Sequence, residues 1–270
     1  MERKSVFTFA NKYSLIGLLL VIFLAGCGSL NEPINADTEG FFNHYFVYNF
    51  SLLIKGLASF LNGSYGLSII IITLIIRLII MPFMLKQTRS SLEMQDKMKE
   101  LKPEMDEIQS KYKDNKDRES QMNMQQEMMQ LYQNHNFNPL ASVAGCLPML
   151  IQMPVLIAFY YAIYRTPEIA EHQFLWFDLG ETDILLTILA VVIYFVQFKV
   201  SQIGLEPQQK KQMAVIGMVS PVMIGIVSLN APAALPLYWA VGGLFIIGQT
   251  LISKKIYLAH KKRTAAAESS

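Results

Sequence analysis

Acidic side chains are missing from all five long apolar runs of this 270-residue chain, residues 65–85, 143–164, 184–198, 213–229 and 233–253. Charge is sparse overall, at 16% of residues, where a soluble domain carries about a quarter. With 52% hydrophobic residues and a positive mean hydropathy, the composition points to an integral membrane protein. Cysteine is scarce too, at Cys27 and Cys146 alone; Cys146 falls in an apolar run without a disulfide partner, and nothing suggests redox chemistry. No G-x-x-x-x-G-K-[ST] run is present to cradle a nucleotide. His44, His135, His172 and His260 form no H-E-x-x-H, and no Ser or Cys has an identifiable base partner. Hydrolase chemistry and a metal or other cofactor therefore find no support.

Against this background one cation stands out. Arg77 lies near the middle of the run Tyr65 to Leu85, whose 21 residues span a bilayer core at about 1.5 Å each. Lys86, the first charge at one end, is about 13 Å away along the helix, too far for a guanidinium to snorkel easily. An arginine at that depth costs about 2.5 to 3.5 kcal/mol on insertion scales. With no carboxylate in any apolar run, Arg77 needs a water-filled cavity, neutral acceptors or a negative charge brought by a visitor. The plainer alternative is an arginine satisfied by backbone carbonyls and Gln or Ser and kept for packing. At 100° per residue, Gly66, Ile70, Thr73, Arg77, Met81, Met84 and Thr88 share one face. Gln152 lies between Pro148 and Pro154, Gln197 near the end of the third run, and Trp239 shares a face with Gly243, Ile246 and Thr250. Taken singly, Gln152 and Gln197 suit interhelical hydrogen bonds, and Trp239 an interface anchor.

The N-terminus reads as a processing signal over residues 1–26: a basic flank (Arg3, Lys4, Lys12), an apolar core Leu15 to Leu24 too short to span, and small residues before Cys27. Leu24-Ala25-Gly26-Cys27 resembles a bacterial lipobox, which makes Cys27 the expected lipidation site. Residues 27–62 then hold a polar linker and an aromatic-rich interfacial helix lying on the outer leaflet, entering the first span through Asn62-Gly63. The expected order is a first span at 63–85, a cytoplasmic helical hairpin at 86–138, a second span at 139–165 and an extracytoplasmic loop at 166–183. A third span at 184–200, a cytoplasmic loop at 201–212, a fourth span at 213–230, a fifth at 231–253 and a basic tail at 254–270 complete it. Lysines and arginines gather at 86–89, 199–211 and 254–263, while the opposite connections hold mainly acids. By the positive-inside rule the mature N-terminus is outside and the C-terminus in the cytoplasm.

Within 86–138, Met94, Met98, Leu101, Met105, Ile108 and Tyr112 form a heptad-like stripe, and a second stripe is read through Met122, Gln125, Met129 and Tyr132. The two predict an antiparallel hairpin turning at 113–117, with a kink or restart at Pro103. The stripes serve as the seam between helices or offer a pliable methionine surface to greasy clients. Nine basic and ten acidic residues make this segment mixed, not a patch for DNA. The basic end Lys254 to Arg263 fixes topology against anionic lipid or binds ribosomal RNA, and Thr264 to Ser270 reads as disordered.

At this point the residues match a family. Asn138 to Pro154 (NPLASVAGCLPMLIQMP), Ile76-Arg77-Leu78 with Pro82, Leu101 to Lys113 (LKPEMDEIQSKYK), Leu175-Trp176-Phe177-Asp178-Leu179-Gly180 and Leu237-Tyr238-Trp239 together resemble the YidC/Oxa/Alb membrane-protein insertases, over about residues 45–255. The lipobox start resembles the Gram-positive, SpoIIIJ-like branch. What the resemblance implies is an all-α membrane protein, not an enzyme, whose five-helix core forms a groove open to cytoplasm and lipid but closed to the outside. Arg77 would there attract extracellular portions of substrates, with Thr73, Gln152, Gln197 and Trp239 along the same groove. Nascent membrane proteins are the implied substrates; the Sec translocon, the ribosome and membrane lipids are candidate partners, and the chain is expected to act as a monomer. A passive assembly scaffold, or a channel or transporter subunit, is the open alternative, although ionisable pairs and inverted repeats are not found. Many members carry Asn four residues after the tryptophan, where this chain has Gly243.

Overall fold

Turn and capping chemistry divide the apolar runs at defined points. The computed structural model describes residues 32–113, 117–135, 137, 147–205 and 207–268; the signal segment, Cys27 and Asn138 to Cys146 lie outside the described residues. A π-helical turn at Asn43–Tyr48 leads into α1 (Asn49–Phe60). Asn62 and Gly63 then take positive φ values of 53° and 82°, reversing the chain at the dipeptide where the sequence places the entry to the first span. The Ser64 hydroxyl accepts from the Leu67 amide and starts α2 (Tyr65–Lys111). Asp117 caps α3 (Arg118–Asn134) through the Ser120 amide at 2.8 Å. Next come α4 (Leu147–Tyr164), the one-turn α5 (Pro167–Ala170), and a two-stranded hairpin of β1 (Gln173–Phe174) and β2 (Phe177–Asp178). Asp183 caps α6 (Ile184–Ser201) by accepting from Leu186, and α7 (Pro207–Ser228) and α8 (Ala234–Glu268) finish the chain.

Among the described residues three helices, α2, α6 and α8, are long and apolar enough to cross a membrane, and shorter apolar helices run over Gln152–Tyr164 and Gly217–Ser228. The α8 helix packs along both α2 and α6, and α6 packs on α7. The α4 helix is held chiefly by the π-turn, α1 and α5. One end of the bundle is closed by a cap. There, Ser51 and Thr166 share a buried hydrogen bond of 2.8 Å, Lys55 pairs with Glu168, and Tyr65 lies against His172. The β-turn residue Leu175, at φ 57°, brings Phe174 against Gly66, where any Cβ would strike the ring. The Glu181 and Leu179 carbonyls accept from Ala233 and Ala234, tying the start of α8 into the same cap. The apolar core beneath holds Ile54, Ile69, Phe159, Ile163, Tyr238 and Trp239.

Several expectations need correction. Pro103 causes no restart: α2 runs unbroken through both Pro82 and Pro103. Seam contacts of Met98, Leu101 and Met105 with α3 hold the helix on either side of the missing amide. The second stripe holds at Tyr132, which joins the seam, and is misplaced at Met122 and Met129. Met122 and Met129 are 53% and 51% exposed, while Leu131, at 7%, packs with Leu101 and Tyr132. Residues 166–183 contain a β-hairpin that their sequence pattern does not announce. The tail is helical as far as Glu268, because Ala265 to Ala267 extend a helix already nucleated upstream.

Candidate functional site

The site is assembled from four helices around Arg77. On α2, Thr73 lies one turn earlier; it is buried, and its hydroxyl donates to the Ile69 carbonyl at 2.7 Å. The Thr73 donor is therefore satisfied within α2. The guanidinium itself rests on α8 at Gly242, where an added Cβ would lie 2.8 Å from Nη2 and 3.2 Å from Nε. Tyr194 of α6 and Tyr238 of α8 lie within electrostatic range of it. From α4, the Gln152 amide donates to the Tyr238 hydroxyl, linking a third helix to the constellation.

These neighbours are neutral. Among the described residues the ion pairs are Lys55–Glu168, Arg89–Glu93, Lys111–Glu127, Glu104–His135 and Asp96–Lys261, none of which involves Arg77. The cation is only partly buried and has no carboxylate partner among the described residues. One turn beyond Tyr194, the Gln197 Oε1 atom is buried with no hydrogen-bond partner among the described residues. A buried orphan acceptor costs about 1 to 3 kcal/mol unless water or another donor reaches it. Trp239 sits differently. It is 7% exposed, belongs to the apolar core, and lines a cavity of about 520 Å³ between α4 and α7 with Met153, Tyr160, Ile224 and Leu235.

Sequence reasoning set Arg77, Thr73, Gln152, Gln197 and Trp239 along one groove and did not include Tyr194, Tyr238 and Gly242. The signals were present in the form of hydroxyls inside apolar runs, one beside Trp239 and one three residues before Gln197, and a Gly242-Gly243 pair in the fifth run. Paired small residues in an apolar helix mark close approach of a neighbour. What the residues alone do not fix is the rotation of α8 that aims Gly242 at Arg77. Gly243 faces α6 instead: a Cβ there would lie 2.7 Å from Ile193 Cγ2 and 3.1 Å from the Tyr194 ring. The position occupied by Asn in many resembling chains is thus a packing contact here. Among the described residues no three His, Cys, Asp or Glu side chains gather closely enough to hold a metal ion.

Comparison with known proteins agrees with this architecture. The 60Kd inner membrane protein family matches residues 56–261. The chain is 48% identical over 258 residues to membrane protein insertase YidC 2 of Listeria monocytogenes serotype 4b (strain F2365), covering 96% of this chain and 90% of that one. It is 50% identical over 243 residues to membrane protein insertase MisCA of Bacillus subtilis (strain 168), covering 89% of each. With MisCB of the same organism it shares 42% identity over 269 residues, 96% of this chain and 97% of that one. The fold is similar to that of the active YidC insertase crystal structure with its first transmembrane domain resolved, with a TM-score of 0.54 at 24% identity. That likeness covers 76% of this chain but 47% of the other, so this chain spans about half its length.

Proposed function

Because the chain belongs to the 60Kd inner membrane protein family, whose insertases are not enzymes, we propose that it inserts integral membrane proteins and helps them fold. The observation that carries the reading is the Arg77 cation at mid-span, surrounded by neutral donors and acceptors and paired with no carboxylate among the described residues. In this reading α2, α4, α6, α7 and α8 form five spans around a hydrated groove open to the cytoplasm. Water in the groove shortens the apolar distance that a client's polar tail must cross. Arg77 attracts acidic residues in that tail, Gln152 and Gln197 offer hydrogen bonds to its backbone, and the client's apolar helix then partitions into lipid. Burial of apolar surface drives the process, so no nucleotide is consumed.

Thr73 and Trp239 take supporting parts in this mechanism. Thr73 fills the closed end above the cation, and Trp239 walls the cleft between α4 and α7, where a client helix would leave. The protein is set in a bacterial plasma membrane with its N-terminus outside, anchored by lipid on Cys27, and its C-terminus in the cytoplasm. Nascent membrane proteins are its substrates, delivered by the ribosome or beside the Sec translocon.

Reconstitution in liposomes with a single-span client bearing an acidic outer tail tests the proposal. Arg77→Ala is expected to slow insertion about tenfold, equivalent to an attraction of only ~1.4 kcal/mol in the rate-limiting step. Insertion by Arg77→Lys at the unsubstituted rate, with loss in Arg77→Ala, would make charge rather than guanidinium geometry the requirement. Insertion at the unsubstituted rate by Arg77→Ala would leave the chain a passive scaffold for that client.

A further inference from the structure

We propose that Gly242 is a positioning residue for the Arg77 cation, its missing side chain forming the seat against which the guanidinium lies. The three atoms nearest an ideal Cβ at 242 all belong to that one group: Nη2 at 2.8 Å, Nε at 3.2 Å and Cζ at 3.4 Å. Ordinary carbon contacts begin near 3.5 Å, so a single methyl group must push the fork aside by more than half an ångström. Because the atoms met are the far end of a flexible side chain, the helices can stay where they are while the cation moves. Arginine is the residue whose flat, delocalised face suits a bare backbone surface; a lysine ammonium is a compact point charge on a flexible stem, with no planar face to lie against it.

The neighbouring glycine supplies an internal contrast. At Gly243 the nearest atoms are Ile193 Cγ2 at 2.7 Å and the Tyr194 ring at 3.1 and 3.3 Å, a branched side chain and a packed aromatic with little room to yield. One glycine of the pair therefore seats the charge on the α2 side, and the other lets α8 approach α6. Alanine is the better helix former at both positions, so helix propensity does not explain either glycine.

The inference rests on the insertase reading of Arg77, and its test keeps the two apart. Insertion of the acidic-tailed client is measured in liposomes for the unsubstituted protein, Gly242→Ala, Arg77→Lys and the double variant, with Arg77→Ala as the reference for the reading itself. Gly242→Ala is expected to cost about two- to tenfold, within the range of coupling between groups in contact, and the loss should shrink towards onefold in the Arg77→Lys background. Thermal unfolding in detergent should be lowered more by Gly243→Ala than by Gly242→Ala. If Gly242→Ala destabilises the fold, recovery on adding Arg77→Lys supports the seat. Equal losses in the Arg and Lys backgrounds, in rate or in stability, would make Gly242 a helix-packing residue and overturn the proposal, as would no loss in the Arg background. If Arg77→Ala is itself without effect, the insertase role of the arginine fails whatever Gly242 does.

Discussion

Single polar atoms at the site carry opposite burdens. The Gln152 amide and the Tyr238 hydroxyl satisfy each other, and Tyr238, 1% exposed, could not be buried cheaply without that partner. The Gln197 Oε1 acceptor has no such relief among the described residues. A residue kept at a cost to stability is expected where the group is used for something else. Gln197→Leu removes the orphan acceptor at similar volume and should stabilise the fold by about 1 kcal/mol, the lower end of the penalty for an unsatisfied buried group. The same change should slow client insertion, because a donor on the passing chain loses its acceptor. The unfolding midpoint in detergent and the liposome insertion rate check both halves; a fall in stability would mean that Oε1 already holds an ordered water.

Among the elements, α2 and α3 illustrate what periodicity can and cannot say. The first stripe was legible because Met94, Met98, Leu101, Met105 and Ile108 are the apolar residues of a strongly polar stretch, and they do line the seam. On α3 the methionines at 122, 124, 128 and 129 lie on both sides of the helix, so a 4-3 pattern can be drawn through either pair. The choice is made by tertiary partners. Leu131 packs against Leu101, and Glu127 accepts from both Lys111 at 2.5 Å and Tyr112 at 2.8 Å. Leu131→Ala should therefore destabilise the hairpin by about 2 kcal/mol, the low end for a leucine truncation, while Met122→Ala and Met129→Ala stay within about 0.5 kcal/mol. Limited proteolysis between α2 and α3 and within α3 reports this directly; equal sensitivity of all three variants would refute the observed seam. The same limit explains the site. Arg77 announces itself as a charge in an apolar run, but Gly242 acquires meaning only when α8 is set beside α2, and the place of the β-hairpin at 173–178 depends on the room that Gly66 leaves for Phe174.

Across the whole molecule, α2 and α8 run on past the apolar bundle, and their extensions are fastened to each other and to the end of α6. The Lys254 ammonium donates to the carbonyls of Val200, Ser201 and Ile203 at the end of α6, and Lys99 donates to the Gly204 carbonyl. Asp96, three residues before Lys99 on α2, accepts from Tyr257 at 2.8 Å and Lys261 at 2.6 Å on α8. Two of the basic residues that the sequence assigns to topology or to the ribosome are thus engaged within the chain. Burial alone would raise the Asp96 carboxyl, but the hydrogen bonds from Lys261 and Tyr257 and the nearby Lys261 and Lys99 charges outweigh it and hold the group below its ordinary value of 3.8. A carboxyl depressed by folding stabilises above its unfolded pKa, and that contribution disappears as pH falls through the folded value. The clasp between α2 and α8 is accordingly complete at neutral pH and opens only in acid, below 3.8. Asp96→Asn should imitate the acid state at neutral pH, because the amide keeps a hydrogen-bond acceptor but loses the charge that holds Lys261. Spin labels on the exposed positions Glu100 and Arg263 read the outcome as a distance distribution. It should be narrow for the unsubstituted protein at pH 7, and broadened both by Asp96→Asn and by strong acid. A distribution that stays narrow in the variant would show that apolar packing of α2 on α8, and not the Asp96 clasp, holds the two extensions together.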